Sequence, residues 1–145
     1  MNPSTITAAA TYETAERFTH DFAGATAEAD DVEEAVTALA RELAASVLGG
    51  RVVPLRRLLI GETTRFPEFA AEYYERAPGR VMAAVAEALR ALDRRGMLHV
   101  DDPETAAEHF AYLAIGPSLD RALFDLSSDT DAATTTRAVE RAEQG

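Results

Sequence analysis

The sequence predicts an all-α fold in a single domain, and three observations predict it. Alanine, the best helix former, supplies 30 of the 145 residues. Apolar residues recur at spacings of three and four through successive segments, the period of one helix face. Strand-favouring residues are scattered and never alternate for long. A chain of this length buries about 68–70% of its unfolded surface, enough for one core. Its 47% hydrophobic content is ordinary for a globular protein.

The first helix is expected from Ser4 to Ala27. Thr11, Ala15, Phe18 and Phe22 step along one face, with Tyr12 at the edge. Asp30 then offers a cap, and Glu33 three residues later completes a capping-box pattern. Val32, Val36, Leu39, Leu43 and Val47 carry the second helix, which Gly49-Gly50 ends. Pro54 is tolerated only in the first turn of a helix. The third helix follows it with Val52, Leu55, Leu58, Leu59 and Ile60, apolar around much of its circumference and so expected to be largely buried. Pro67 starts a short fourth helix. Pro78 opens the fifth, whose stripe is Val81, Val85, Leu89 and Leu92. Arg94 and Arg95 complement its C-terminal dipole, and Gly96 supplies the turn residue after it. Asp102 caps the sixth helix, with Pro103 in its first position. Gly116-Pro117 is expected to kink that helix before it runs on to Leu126. A polar seventh helix, AATTTRAVERAEQ, closes the chain. No internal repeat or low-complexity linker interrupts the series.

Composition excludes several functions. There is no cysteine, so no disulfide, thiolate metal site or cysteine nucleophile. All 14 basic residues are arginine, which removes Schiff-base and phosphate-loop lysines. A net charge of −11 repels phosphate backbones and anionic membranes. No apolar run approaches the roughly 20 residues of a membrane span, and the N-terminus has no signal-peptide pattern. A cytoplasmic location is the expectation. Glycine-rich phosphate loops, zinc helices, EF-hand loops and nucleophile elbows are all missing. His20, His99 and His109 are too scattered for a metal site. Asp30-Asp31 and Asp101-Asp102 stand where helices begin and read as caps. No nucleophile, base and orienting group can be assembled, so an enzyme is not expected, nor any cofactor or metal.

One stretch stands out. TRFPEFAAEYYER gathers Phe66, Phe69, Tyr73 and Tyr74 within nine positions, in a chain only 7% aromatic. These residues either fill a core or wall a cavity for something flat and apolar. Glu62 lies one turn earlier, beside a helix that reads as buried. A carboxylate there needs an arginine partner, a hydrogen bond or water.

The run RRLLIGETTRFPEFAAEYYERAPGRVMAAVAEALRALDRRGMLHVDDPETAAEHFAYLAIG resembles the C-terminal regulatory domain of TetR-type bacterial repressors, in the AefR-like subgroup. The resemblance is carried by an aliphatic helix ending in an acidic residue, the RFPEF step, YYERAPGR, an alanine-rich helix, RRGMLHVDDPE and AAEHF, in that order. It covers Arg51 to Phe124, and residues 4–48 fit two preceding helices by pattern. Members of that family begin with a helix-turn-helix DNA-binding domain, and nothing of that kind precedes Ser4. The chain is then either a shortened repressor or a sensor domain that stands alone, and by itself it should not bind operator DNA.

The resemblance implies a division of labour. Residues 4–100 would enclose a pocket for a small apolar or aromatic effector, and residues 101–145 would pair two copies in a four-helix bundle. The pocket would be lined by Phe18, Phe22, Leu39, Leu43, Leu58, Glu62, Phe66, Phe69 and Tyr73, closed by Val85, Leu89 and Phe110. The homodimer would be joined through Ala107, Ala111, Ala114, Ile115 and Leu119, with Ala133 and Ala138 of the last helix. A helical dimerisation protein with neither ligand nor DNA role is the alternative.

Overall fold

The computed structural model describes residues 3–50 and 52–125. They form six helices: α1 (Pro3–Glu28), α2 (Val32–Leu48), α3 (Val52–Gly61), α4 (Pro67–Arg76), α5 (Pro78–Arg94) and α6 (Pro103–Phe124). The all-α expectation holds for them. The expected seventh helix, AATTTRAVERAEQ, falls outside the described residues.

The four long helices close a ring. α1 packs on α2, α2 on α6, α6 on α5, and α5 on α1. The ring encloses one core, whose largest fully buried side chains are Phe22, Leu39, Leu43, Leu48, Leu92 and Val85. Between these large groups stand alanines from every wall, among them Ala15, Ala40, Ala88 and Ala107. Alanine loses no rotamer entropy on burial. Its small side chain lets neighbouring helices approach while leucine and phenylalanine fill the remaining space. The short helices α3 and α4 add a second, smaller apolar cluster with α1: Ala8, Leu55, Leu59, Tyr73 and Ala77 are buried there, against Tyr12 and Phe69.

Helix ends follow local chemistry. Three of the six helices carry proline in their first turn beside a defined cap, at Pro67, Pro78 and Pro103. α2 begins one residue later than its capping pattern suggests. Asp31, not Asp30, takes the extended cap conformation and accepts the Glu34 amide at 2.7 Å. Glu34, not Glu33, reaches back to accept the Asp30 amide at 3.0 Å. Adjacent aspartates and adjacent glutamates make both registers equal in sequence, and the backbone selects one. At the end of α5 the Gly96 amide donates to Asp93 and the Met97 amide to Leu92, at 2.9 and 3.0 Å. This 5→2, 6→1 pair needs a left-handed residue, and Gly96 has φ +74°.

Two arginines cap helices other than their own. Arg57 of α3 donates from Nε to the Leu123 carbonyl at 2.9 Å and from Nη2 to those of Ala122 and Asp125, at the C-terminus of α6. Arg95 donates to the Thr26 and Ala29 carbonyls at 2.6 and 2.8 Å, at the end of α1. Helix C-termini expose unpaired carbonyls and partial negative charge, and a guanidinium fork meets both needs. Arg95 thus complements the dipole of α1, while Arg94 pairs with Glu87 at 3.1 Å.

One sequence expectation changes. α3 is not buried all round: Val52, Leu55 and Leu59 face inward, whereas Leu58 and Ile60 are 46% and 58% exposed. Two adjoining cores cover only part of a ten-residue helix. α6 continues through Pro117 as one helix to Phe124. Proline removes the donor that the Leu113 carbonyl would use, and Leu113 lies on the exposed side.

The capping geometry makes two expectations testable by thermal melts. Asp31→Ala should cost about 1 kcal/mol. Asp102 accepts bonds from both the amide and the hydroxyl of Thr105, which hold its carboxyl below its ordinary 3.8. A depressed folded pKa gives stability that is present above 3.8 and lost as pH falls through the lower folded value. Asp102→Asn, which keeps a capping oxygen, should flatten that acid limb.

Candidate functional site

The residues expected to line one pocket divide between two compartments. Phe18, Phe22, Leu39, Leu43, Val85 and Leu89 are buried in the main core, and Phe110 packs against them partly exposed. The Phe18 and Phe22 rings stack at 4.6 Å between centroids. Tyr73 and Phe69 belong to the second cluster. Leu58 and Phe66 lie in neither; Phe66 is half exposed, with the Arg65 guanidinium 5.2 Å from its ring centre. Glu62 sits in the turn after α3, partly buried. Its backbone carbonyl accepts the Arg65 and Phe66 amides, and its carboxylate makes no ion pair among the described residues.

The second cluster differs from the main core by its polar content. Tyr73 is 5% exposed, and its hydroxyl is sealed from solvent with no hydrogen-bond partner. The Tyr12 hydroxyl and the Arg56 Nε are in the same condition. The two tyrosine rings lie 6.1 Å apart. Burial raises the pKa of Tyr73, and the nearby Arg56 charge opposes that rise. Burial likewise lowers the pKa of Arg56, with only Tyr73 and Tyr74 pulling it back. No carboxylate offsets the guanidinium among the described residues. α1, α3 and α4 each supply one member of this trio. Sequence reasoning chose Glu62 over Arg56 as the informative charge near α3. The available signal was Arg56 directly following Leu55, whose side faces inward; Arg57, one residue on, turns to α6.

Outside Tyr12 runs a groove of about 730 Å³ between α1, α4 and α5. Its apolar wall is Ala8, Ala9, Tyr12, Phe69 and Ala83, with Gly79 at its floor. Glu13, Glu16, Glu72 and Glu75 rim it against Arg76 and Arg80. Arg80 pairs with Glu16 at 2.8 Å, and Arg76 with Glu72 at 3.4 Å. The Arg76 guanidinium also covers the Tyr12 ring, 4.0 Å from its centre. A second, smaller groove of about 420 Å³ follows the other end of the α1–α5 contact past Ala23, Ala84 and Ala88.

The expected dimer residues face inward. Ala107, Ala111, Ala114 and Ile115 are 1%, 8%, 0% and 7% exposed, all within the chain's own core, and Leu119 packs against it. The ring of helices claims the small-residue face of α6. The opposite face presents Tyr112, Leu113 and Phe124, at 62%, 45% and 87% exposure. Tyr112 lies flat over Gly116, where a Cβ would meet its ring at 2.5 Å. Ala133 and Ala138 lie outside the described residues. Among the described residues no group of acidic or histidine side chains is arranged to hold a metal, and no helix is long and apolar enough to cross a membrane.

Four long helices in a ring with two short ones beside them define an all-α helical domain, and the comparisons place it more narrowly. The AefR-like transcriptional repressor C-terminal domain family matches residues 34–143. The chain belongs to that family and is a TetR-type C-terminal regulatory domain. The crystal structure of a protein described as a TetR-family transcriptional regulator from Mesorhizobium loti MAFF303099 superimposes with a TM-score of 0.81 at 26% identity, over 99% of this chain and 73% of that one. No curated protein matches the chain.

The partition of residues between core and surface is testable. Leu39→Ala, at a fully buried site, should cost about 2–5 kcal/mol. Phe66→Ala should change stability by no more than about 0.5 kcal/mol. Urea melts of the two variants measure the contrast.

Proposed function

We propose that the chain senses a small, largely apolar effector and pairs with a second copy of itself, so as to control DNA binding by a helix-turn-helix domain of the parent repressor. The observation that carries the sensing role is the α1–α3–α4 end of the fold. It combines aromatic walls, three unpartnered polar atoms and an adjoining groove of about 730 Å³. Small-molecule sites have about 300–1,000 Å³, mostly apolar walls and a few polar groups. The main core, by contrast, is a cluster of buried apolar side chains. Of the residues expected to bind ligand, Phe69 and Tyr73 fit this site directly, while Phe18, Phe22, Leu39, Leu43, Val85 and Leu89 support it from the core.

α1 gives the site its output. It contributes Ala8 and Tyr12 to the second cluster and Phe18 and Phe22 to the main core. A ligand that binds one position of α1 against α3 and α4 better than another shifts the balance between them. Any DNA reader attached ahead of α1 would move with it, giving a coupling between effector and operator.

The pairing role rests on the exposed face of α6. Tyr112 and Leu113 are adjacent, large and uncovered. Two such faces meeting about a two-fold axis bury each other. This face is separate from the ligand end, so it also supports a reading in which pairing is the whole function.

Sedimentation of the chain should give a two-chain species, and Leu113→Glu should give a single chain with an unchanged helical spectrum. Saturation with a true effector should raise stability, by about 2.7 kcal/mol at roughly 100 times Kd. The isolated chain should leave operator DNA unshifted in a gel, and a tight, salt-sensitive complex would contradict the assignment of DNA binding to another domain.

A further inference from the structure

We propose that Arg56, Tyr73 and Tyr12 form the anchor for the head of a monocarboxylate, so that the effector is an organic acid with an apolar or aromatic body. The inference rests on the sensing role above and names its ligand class.

Three features point to an anion. A guanidinium stays protonated under all ordinary conditions, and a buried charge without a counter-ion is costly. The Nε of Arg56 is closed to solvent and lacks a well-aligned hydrogen bond; its neighbour is the Tyr73 hydroxyl, and no carboxylate faces it among the described residues. The Tyr73 hydroxyl beside it is also closed to solvent, and the Tyr12 hydroxyl, likewise closed, neighbours Tyr73 in turn. All three groups can donate hydrogen bonds, and a carboxylate oxygen only accepts them. Nε and a neighbouring Nη form a fork that matches two carboxylate oxygens, leaving the tyrosines for the remaining lone pairs.

The rest of the cluster sets the size and charge of the ligand. One arginine balances one negative charge. A doubly charged phosphate would leave an uncompensated charge beside Leu55, Leu59 and Ala77. Those side chains, with Phe69, suit a hydrocarbon or aromatic body. The outer groove is not where the anion rests, since its four glutamates outnumber its two arginines. Because the Arg56 Nε is already sealed, an acidic side chain docking on the outer surface cannot reach it. A small molecule taken inside can.

A protein that keeps a guanidinium without a counter-ion for a ligand sacrifices ligand-free stability. This gives the anchor a signature that a purely structural arginine lacks. Thermal-shift and calorimetric titrations of the chain would use octanoate and phenylacetate, each against its neutral amide. The carboxylates should raise the melting temperature and the amides should not. Arg56→Met should melt above the wild type without ligand, yet bind either carboxylate about tenfold more weakly or worse. Tyr73→Phe should keep the fold and weaken carboxylate binding to a smaller extent. Equal shifts from acids and amides would overturn the anion assignment and leave the sensing role standing. No shift from any of the four would count against both. A ligand-free Arg56→Met that melts below the wild type would show that the guanidinium is already satisfied, and would end the proposal.

Discussion

The constraint on which the structure depends is close approach of four long helices around one core. α2 meets it with Ala35, Ala40 and Ala44 interleaved with Leu39, Leu43 and Leu48, all at or below 1% exposure. α5 and α6 answer with their own alanines, Ala84, Ala86, Ala88, Ala107 and Ala114. Each alanine contributes little area, but each lets a neighbouring leucine or phenylalanine reach across the ring. This is why an alanine-rich chain can still carry a dense core. It also leaves α6 one face to spend inside and the other for the outside.

With the ring so packed, the variable chemistry is pushed to its ends. The C-termini of α1 and α6 are held by Arg95, just after α5, and Arg57 of α3, across 66–69 and 65–68 residues of sequence. These forks tie the connector after α1 and the end of α6 to the body of the fold. Surface pairs such as Arg80–Glu16 add little by themselves, being about half exposed. The α3–α4 end departs from this economy. It buries two hydroxyls and a guanidinium nitrogen without well-aligned partners, in a molecule that caps α2 and α6 with aspartate side chains. Exceptions of this kind concentrate where function is.

The aromatic stretch from Phe66 to Tyr74 shows how far local pattern reaches. Its residues share a helix but not a fate. Tyr73 is buried against Tyr12, Phe69 borders the groove, and Phe66 and Tyr74 remain exposed. Periodicity sets which side chains lie on one face of α4. It does not set which other helix that face will meet, and the site depends on that meeting.

By itself the sequence determined the helices, their order and most of their ends, because these depend on side chains within one turn of each other. Proline at Pro67, Pro78 and Pro103, Gly96 after α5 and the stripe of Val81, Val85, Leu89 and Leu92 act locally and read locally. The family was legible for the same reason, since the order of these signals is what defines it. Only the tertiary structure decided that Ala107, Ala111, Ala114 and Ile115 turn inward, that Arg57 and Arg95 cap distant helices, and that Tyr73 meets both Arg56 and Tyr12. Those outcomes depend on which faces touch across dozens of residues, and a small apolar side chain suits a helix–helix contact within one chain as well as it suits one between two.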